Sequence, residues 1–463
     1  MGVTPGICPG KLDIINLVGG KDMIDTDNLI RLSPREFTKF LKQEKISRFY
    51  FVYDPEKQIV KSSHPQLQAI ADFIQNDKRD FMKHEGAFFQ ITQQHDILQG
   101  AFIHRTNRGQ AAGGVRFWHY NTVEDYLRDG LRLGKGMTRK NALAGLWWGG
   151  GKGVMVKNQE VNQNDLGIRS SIYREYGKFI SSLRGCYVTA EDVGTNVNDM
   201  ANVFSGTRFT TCIPKEKGGS GNPSVPTARG VISGMEAALE FCGKENLHGK
   251  TIAVQGMGNV GGPLIGFLFK KGVKKIIACD TEAKLVERIK NKFQGKGLEA
   301  TAVSADDMSF FKTDCDILSP NATGGVINPR TIPLIKAKII CGAANNQLED
   351  SQRDDKLLFD NKIIYIPDFL TNRMGIVNAA DEQYGYVNSD PLFERHLTRD
   401  WKYSIYQTSI RLLKEAQSTG EPTAKIAMRT ADRLSMESHP LFGHRGQQII
   451  DSLIADKWHL NYS

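Results

Sequence analysis

The chain has 463 residues, 40% hydrophobic and 24% charged, a balance that can fill a sizeable core and at this length predicts two or three domains of about 150 residues. Its net charge of +9 is spread without a long basic tract, which fits a solvated surface and small anionic ligands better than a nucleic-acid footprint. The 7 cysteines form no CxxC pair and are odd in number, which argues against a disulfide framework or a structural zinc site and for reduced thiols in a cytoplasmic compartment. No apolar run approaches the roughly 18 residues that span a bilayer. Asp13, Asp22, Asp25 and Asp27 precede the first arginine, Arg31, against the pattern of a secretory or transit segment.

Residues 1–77 read as a small appended α+β module. Ser33-Pro34-Arg35-Glu36 is a capping box with proline at the first helical position, predicting a helix to about 43. A strand is expected at 49–53, and an amphipathic helix at 65–75 with Leu67, Ile70, Ala71 and Ile74 on one face. No chemistry is evident here, and packing or an oligomer contact is the expected role. Residues 78–222 form a second unit. A strand pair is predicted at 87–91 and 97–104, and a helix at 123–139. The segment Gly149-Gly150-Gly151-Lys152-Gly153 then leads into a strand at 154–156. A helix at 168–183 and a strand at 187–190 precede Glu191-Asp192-Val193-Gly194.

Past a glycine-rich boundary at 218–223 the rhythm becomes strand, helix, strand. Helices are expected at 227–241, 259–271 and 283–293, and strands at 251–255, 275–279, 315–319, 338–341 and 363–366. Alternating units with near-continuous apolar strands predict an α/β fold with a parallel, doubly wound sheet over 223–404. The helical remainder, 405–463, is expected to return to the first large unit.

The segment Gly256-Met257-Gly258-Asn259-Val260-Gly261 carries GxGxxG between a predicted strand and helix. The glycines permit a tight turn, close approach to a pyrophosphate, and tight helix–strand packing. The helix start offers N–H groups and a positive dipole end to phosphates. Asp280 closes the next strand, where a carboxylate accepts the ribose 2′-hydroxyl and repels a 2′-phosphate, favouring NAD over NADP. An ordinary glycine turn with an Asp helix cap is the bland alternative.

Lys152 stands among glycines beside an apolar strand, and Lys140 lies in Gly136-Met137-Thr138-Arg139-Lys140-Asn141. Little neighbouring bulk permits partial desolvation, which lowers an ammonium's pKa and suits acid–base work. Taken singly, either lysine reads more readily as a snorkelling surface residue and Asp192 as a turn or cap residue. Together with a dinucleotide fold they match one reaction. Amino-acid oxidation needs a cation for the α-carboxylate, a cation for the developing oxyanion, and a carboxylate to move protons.

Gly113-Gly114-Val115-Arg116, GMTRKNALAGLWWGGGKG (136–153), TAEDVG (189–194), SGNPSVPTARGV (220–231), VQGMGNVG (254–261), GAANNQL (342–348) and NAADEQYGY (378–386) follow one another in the chain. They resemble the glutamate/leucine/phenylalanine/valine dehydrogenase family, nearest its leucine and phenylalanine branch, over about 110–390. The resemblance implies a substrate unit and a Rossmann-like NAD unit that close on a cleft, in a homo-oligomer. It implies that Lys140 binds the substrate carboxylate, that Lys152 polarises the reacting oxygen, and that Asp192 is the general acid/base. It also implies that Thr227 and Asn345 contact the nicotinamide end of the cofactor and that Asn346 neighbours the substrate. Gly113, Gly114, Ala112, Ala190, Ile376 and Ala379 fall at the substrate by the same likeness.

Glutamate-specific members carry a lysine at the position of Ala112, so a nonacidic substrate is expected. Leucine-preferring members have larger aliphatic residues at Ala112 and Ala379, so a large apolar or aromatic side chain is expected to fit. Trp147-Trp148 and Asn372-Arg373-Met374-Gly375 depart from the family pattern and place bulk beside the expected cleft, with Arg373 available to pair with an acidic side chain. Competing readings are a glutamate dehydrogenase and a dinucleotide-binding scaffold. The expected partners are small molecules, with no metal, nucleic acid or membrane.

Overall fold

The computed structural model describes residues 26–244, 246–385, 387 and 389–461. Asp13, Asp22, Asp25, Tyr386 and one of the 7 cysteines, Cys8, lie outside the described residues.

The first unit is built on a mixed seven-stranded sheet. Its elements in chain order are α1 (Pro34–Gln43), β1 (Arg48–Asp54), β2 (Ile59–Ser62), α2 (Gln68–Asn76), β3 (Gly86–Ile91), β4 (Leu98–Arg105), β5 (Ala111–Trp118), α3 (Val123–Leu143), β6 (Gly149–Val156), α4 (Leu166–Ser182), β7 (Tyr187–Glu191) and α5 (Val197–Phe204). Both arms of the Ser33–Glu36 capping box form at the start of α1. The strand order is β2-β1-β3-β4-β6-β5-β7. β1 pairs directly with β3, and Phe49 stacks on Phe89 at 4.7 Å, so the N-terminal strands extend this sheet. β5 runs parallel to both β6 and β7.

Three strands of this sheet differ from expectation. The short edge strand β2 and the strand β5 are not among the expected ones, and in β6 the run Gly149 to Gly153 lies within the strand and does not merely precede it. Glycines have no side chain to show a two-residue period, and pairing on both sides makes β5 and β6 strands regardless of propensity. One face of the sheet packs with α2 and α3, the other with α4 and α5.

The second unit comprises α6 (Ser224–Phe241), β8 (Thr251–Gln255), α7 (Gly261–Lys270), β9 (Lys275–Asp280), α8 (Ala283–Lys292), β10 (Leu298–Ala302), β11 (Ile317–Pro320), β12 (Ile339–Ile340), α9 (Arg353–Asp360) and β13 (Ile364–Tyr365). Its six strands are all parallel, ordered β10-β9-β8-β11-β12-β13. The order reverses at β8, and in such sheets ligands bind outside the strands' carboxyl ends at the reversal.

The chain ends with α10 (Asp368–Thr371), α11 (Met374–Gln383), α12 (Pro391–Glu394), α13 (Ile405–Thr419), α14 (Thr423–Ser435) and α15 (Arg445–Ala455). This part differs from the expected return of all of 405–463 to the first unit. Leu412, Leu413, Ile426 and Ala427 of α13 and α14 are buried in the second core, whereas Ile450 and Leu453 of α15 join the first. Ile376, Ala379 and Ala380 of α11 also reach into the first core. Arg139 of α3 pairs with Asp432 of α14 at 2.8 Å, a further tie between the units.

Candidate active site

Strands β5, β6 and β7 lie so close to one another and to α3 that side chains are excluded at several points. A Cβ on Gly150 would sit 2.1 Å from the Thr138 nitrogen, and one on Gly113 would sit 2.0 Å from the Gly151 oxygen. Lys152 lies two residues after Gly150, so it shares the face that α3 covers. Its ammonium lies 2.8 Å from Asp192 Oδ2, just past the end of β7. Gly114 and Arg116 follow the same alternation on β5. A Cβ on Gly114 would meet Asp192 Cβ at 2.8 Å, and Arg116 Nε lies 3.5 Å from Asp192 Oδ2.

This packing sets the charges. Burial pushes the Lys152 ammonium below the ordinary lysine value, against the pull of Asp192. Burial also acts to raise the Asp192 carboxyl, but Lys152 and Arg116 outweigh it and hold the group at about 2. Lys140, in the last turn of α3, is pushed down to about 8, first by burial and then by Lys152, with Asp368 opposing. Asp368 Oδ2 accepts the N–H of Gln347, the residue after Asn345 and Asn346, at 3.1 Å. Asn345 Oδ1 accepts a hydrogen bond from Asn372 at 2.8 Å, and Asn346 adopts φ 52°.

Glu191 is the neighbour that the sequence reading passed over. Burial raises its carboxyl to about 7, with Asp192 and Asp199 adding to the shift. Its Oε1 accepts from Asn222 at 3.3 Å, while Oε2 is buried without a hydrogen-bond partner. Arg116 and Asp368 were likewise unassigned. A charged residue on a buried central strand, and a carboxylate just beyond a strand end, were the signals available for them.

Ala112, Ala190, Ile376 and Ala379 lie in one apolar cluster, which Trp148 also joins. Trp147 stacks instead under Arg108, 4.2 Å from its guanidinium carbon. The expected bulk of Arg373 and Met374 beside the cleft needs correction. Arg373 is fully buried and donates to the Leu143 carbonyl at 2.6 Å and to the Tyr403 carbonyl. Met374 packs with Ala144, Val377, Phe393 and Ile405. Neither residue is placed to meet an acidic substrate side chain.

At the reversal of the second sheet, Gly256 takes φ +87° and Gly261 passes the Gly256 oxygen at a distance that leaves a Cβ only 1.9 Å away. Gly258 has nothing within 4 Å of where a Cβ would stand. Met257, Asn259 and Val260 complete the turn into α7, and Asp280 Oδ2 accepts the Met257 N–H at 2.7 Å. Thr227, in the first turn of α6, donates to the Pro223 carbonyl at 2.8 Å and is a near neighbour of Gly375. A tight turn, open space over its middle glycine and a helix start together fit a dinucleotide pyrophosphate. Among the described residues no group of three or more His, Cys, Asp or Glu is placed to hold a metal ion.

Residues 89–209 match the family model "Glu/Leu/Phe/Val dehydrogenase, dimerisation domain", and residues 218–433 match "Glutamate/Leucine/Phenylalanine/Valine dehydrogenase". The chain belongs to the glutamate/leucine/phenylalanine/valine dehydrogenase family. It is an amino-acid dehydrogenase, an oxidoreductase acting on CH–NH2 donors, in a family that uses NAD or NADP. It is 45% identical to a leucine dehydrogenase of Geobacillus stearothermophilus over 61% of this chain and 74% of that one. It is 42% identical to the leucine dehydrogenase of Bacillus subtilis (strain 168), over 76% of this chain and 91% of that one. The crystal structure of L-tryptophan dehydrogenase from Nostoc punctiforme superposes with a TM-score of 0.62 at 32% identity, covering 76% of this chain and 96% of that one. In this dehydrogenase α1, β1, β2 and α2 precede both matched ranges. No helix among the described residues is long and apolar enough to cross a membrane.

Proposed function

We propose that the protein catalyses NAD-dependent oxidative deamination of a nonacidic L-amino acid to its 2-oxo acid and ammonia, and the reverse amination. The observation that carries this reading is the pairing of the buried Lys152 with the partly buried Asp192 at 2.8 Å, with Lys140 on the helix that covers it. Lys140 holds the substrate α-carboxylate, with Asn346 and the β5 backbone at Gly113 and Gly114 beside it. Lys152 stabilises negative charge on the reacting oxygen, and Asp192 carries protons to and from water and nitrogen. The dinucleotide, when bound, accepts the hydride. Gly256, Met257, Gly258, Asn259, Val260 and Gly261 would cradle its phosphates, Asp280 its ribose, and Thr227 and Asn345 its nicotinamide end. The Asp280 carboxylate supports NAD over NADP by like-charge repulsion of a 2′-phosphate.

Ala112, Ala190, Ile376 and Ala379 would form the side-chain wall, which brings no charge to a second carboxylate. A buried carboxylate without a partner is costly to desolvate, so glutamate is a poor substrate. The two small alanines leave room for an apolar side chain, each further buried carbon gaining about 0.8 kcal/mol. A homo-oligomer, supported by the match to a dimerisation-domain model, and a cytoplasmic location, supported by the free cysteines among the described residues, belong to the same proposal. The test is kcat/KM for leucine, valine, phenylalanine and glutamate with NAD and with NADP. Turnover of the apolar substrates with NAD is expected. A higher value for glutamate, or a preference for NADP, overturns the corresponding half of the reading.

A further inference from the structure

Lys152 has two partners to serve. In the structure its ammonium pairs with Asp192 Oδ2, and in the proposed reaction it turns to the substrate oxygen. A buried carboxylate that loses its cation is strongly disfavoured in its charged form. Asp192 therefore needs a second cation that stays behind.

Arg116 is placed for this. Its Nε lies 3.5 Å from the same Asp192 oxygen, is buried, and has no hydrogen-bond partner. At that distance the contact is one of charge, with room to tighten. The other end of the guanidinium is fixed, because Nη1 donates to both oxygens of Asp129 on α3, at 2.9 and 3.2 Å. Asp129 is in turn held by the Tyr120 hydroxyl at 2.7 Å and by Arg132 Nη2 at 2.8 Å. The β5 backbone that carries Arg116 touches Asp192 at Gly114, where no Cβ fits.

We infer that Arg116, anchored by Asp129, is a positioning residue that keeps Asp192 charged and aimed while Lys152 engages the substrate. The inference rests on the proposed role of Asp192. The charged groups facing Asp192 are Lys152 from β6, Arg116 from β5, Lys140 from α3 and, with like charge, Glu191 from β7. Loss of Arg116 leaves Glu191 less opposed.

The experiment compares the pH dependence of kcat for leucine oxidation with NAD in the full-length parent, Arg116→Gln, Arg116→Lys, Asp129→Asn and Asp192→Asn. NADH affinity is measured in parallel by fluorescence titration. An opposite charge at this range lowers a carboxyl pKa by about 1 unit or more, so Arg116→Gln should move the acid limb of kcat up by about that much, with NADH affinity unchanged. Arg116→Lys should recover part of the shift, since it restores the charge but not the forked grip. Asp129→Asn should move the limb the same way by less. A parent profile in Arg116→Gln overturns the inference. So does a rise confined to the amino-acid KM, which would make Arg116 a substrate contact. If Arg116→Gln fails to fold, an unshifted limb in Asp129→Asn overturns it, and a shifted one supports it. If Asp192→Asn keeps the parent rate and profile, the proposed role of Asp192 fails first. If Asp192→Asn abolishes the limb while Arg116→Gln leaves it in place, the inference about Arg116 fails alone.

Discussion

Two of the molecule's glycine-rich segments, one within the first sheet and one in the turn after a strand of the second, do opposite things. In β5 and β6 the glycines let backbone press on backbone, and a Cβ on Gly150 would lie 2.1 Å from the Thr138 nitrogen. The space they remove is the protein's own, and what remains is a closely packed set of charges whose proton affinities are displaced in both directions. In the turn after β8 the surroundings of Gly258 are open, with nothing within 4 Å. Space is kept there for something outside the chain. One segment builds a chemical site by closing it, and the other builds a binding site by leaving it open.

This contrast can be broken at each side. Gly150→Ala should be the most damaging of the simple changes. Overpacking a closed core costs about 1–3 kcal/mol and displaces what it touches, so both Tm and turnover should fall, and a parent Tm would mean that the packing of β6 on α3 is looser than the structure has it. Asp280→Ala should leave Tm and the amino-acid KM near the parent values. It should raise KM for NAD by about tenfold, the equivalent of about 1.4 kcal/mol, while narrowing the gap to NADP. An unchanged NAD to NADP ratio would remove Asp280 from cofactor choice. Glu191→Gln is the finest probe. Burial raises the Glu191 carboxyl from 4.5 to about 7, so the folded state holds its proton more tightly than the unfolded chain does. Its contribution to stability is complete below pH 4.5 and is lost as pH rises through about 7. The variant should lose that part of the pH dependence of Tm, together with any step near neutral pH in kcat/KM. A parent curve in both would place the titration elsewhere.

Much of the second unit was readable in the sequence. Strands buried on both faces appear as apolar runs, and the turn after β8 is bracketed by a strand and a helix. α1 was readable for another reason, since a capping box is a local device complete in Ser33 to Glu36. β5 and the start of β6 were not readable, because glycine carries no period and only the neighbouring strands decide the conformation. Lys140, Lys152 and Asp192 stood out by residue type, whereas Arg116 and Glu191 matter through neighbours distant in the chain. Arg373 shows the limit most clearly. Its bulk suggested an intruder in the cleft, yet its partners are the Leu143 and Tyr403 carbonyls, and backbone acceptors leave no mark on a sequence.

The division of labour between the two sheets is tested most directly by Lys152→Ala, measured in two ways on the same preparation. The lysine sits in the closed site and the dinucleotide segment in the other sheet, so NADH affinity by fluorescence titration should match the parent. Loss of one preorganised partner for a developing oxyanion lowers turnover by about 100- to 1000-fold, and kcat for leucine oxidation should fall by that much. Near-parent turnover, or a loss of NADH binding equal to the loss of activity, would contradict the account.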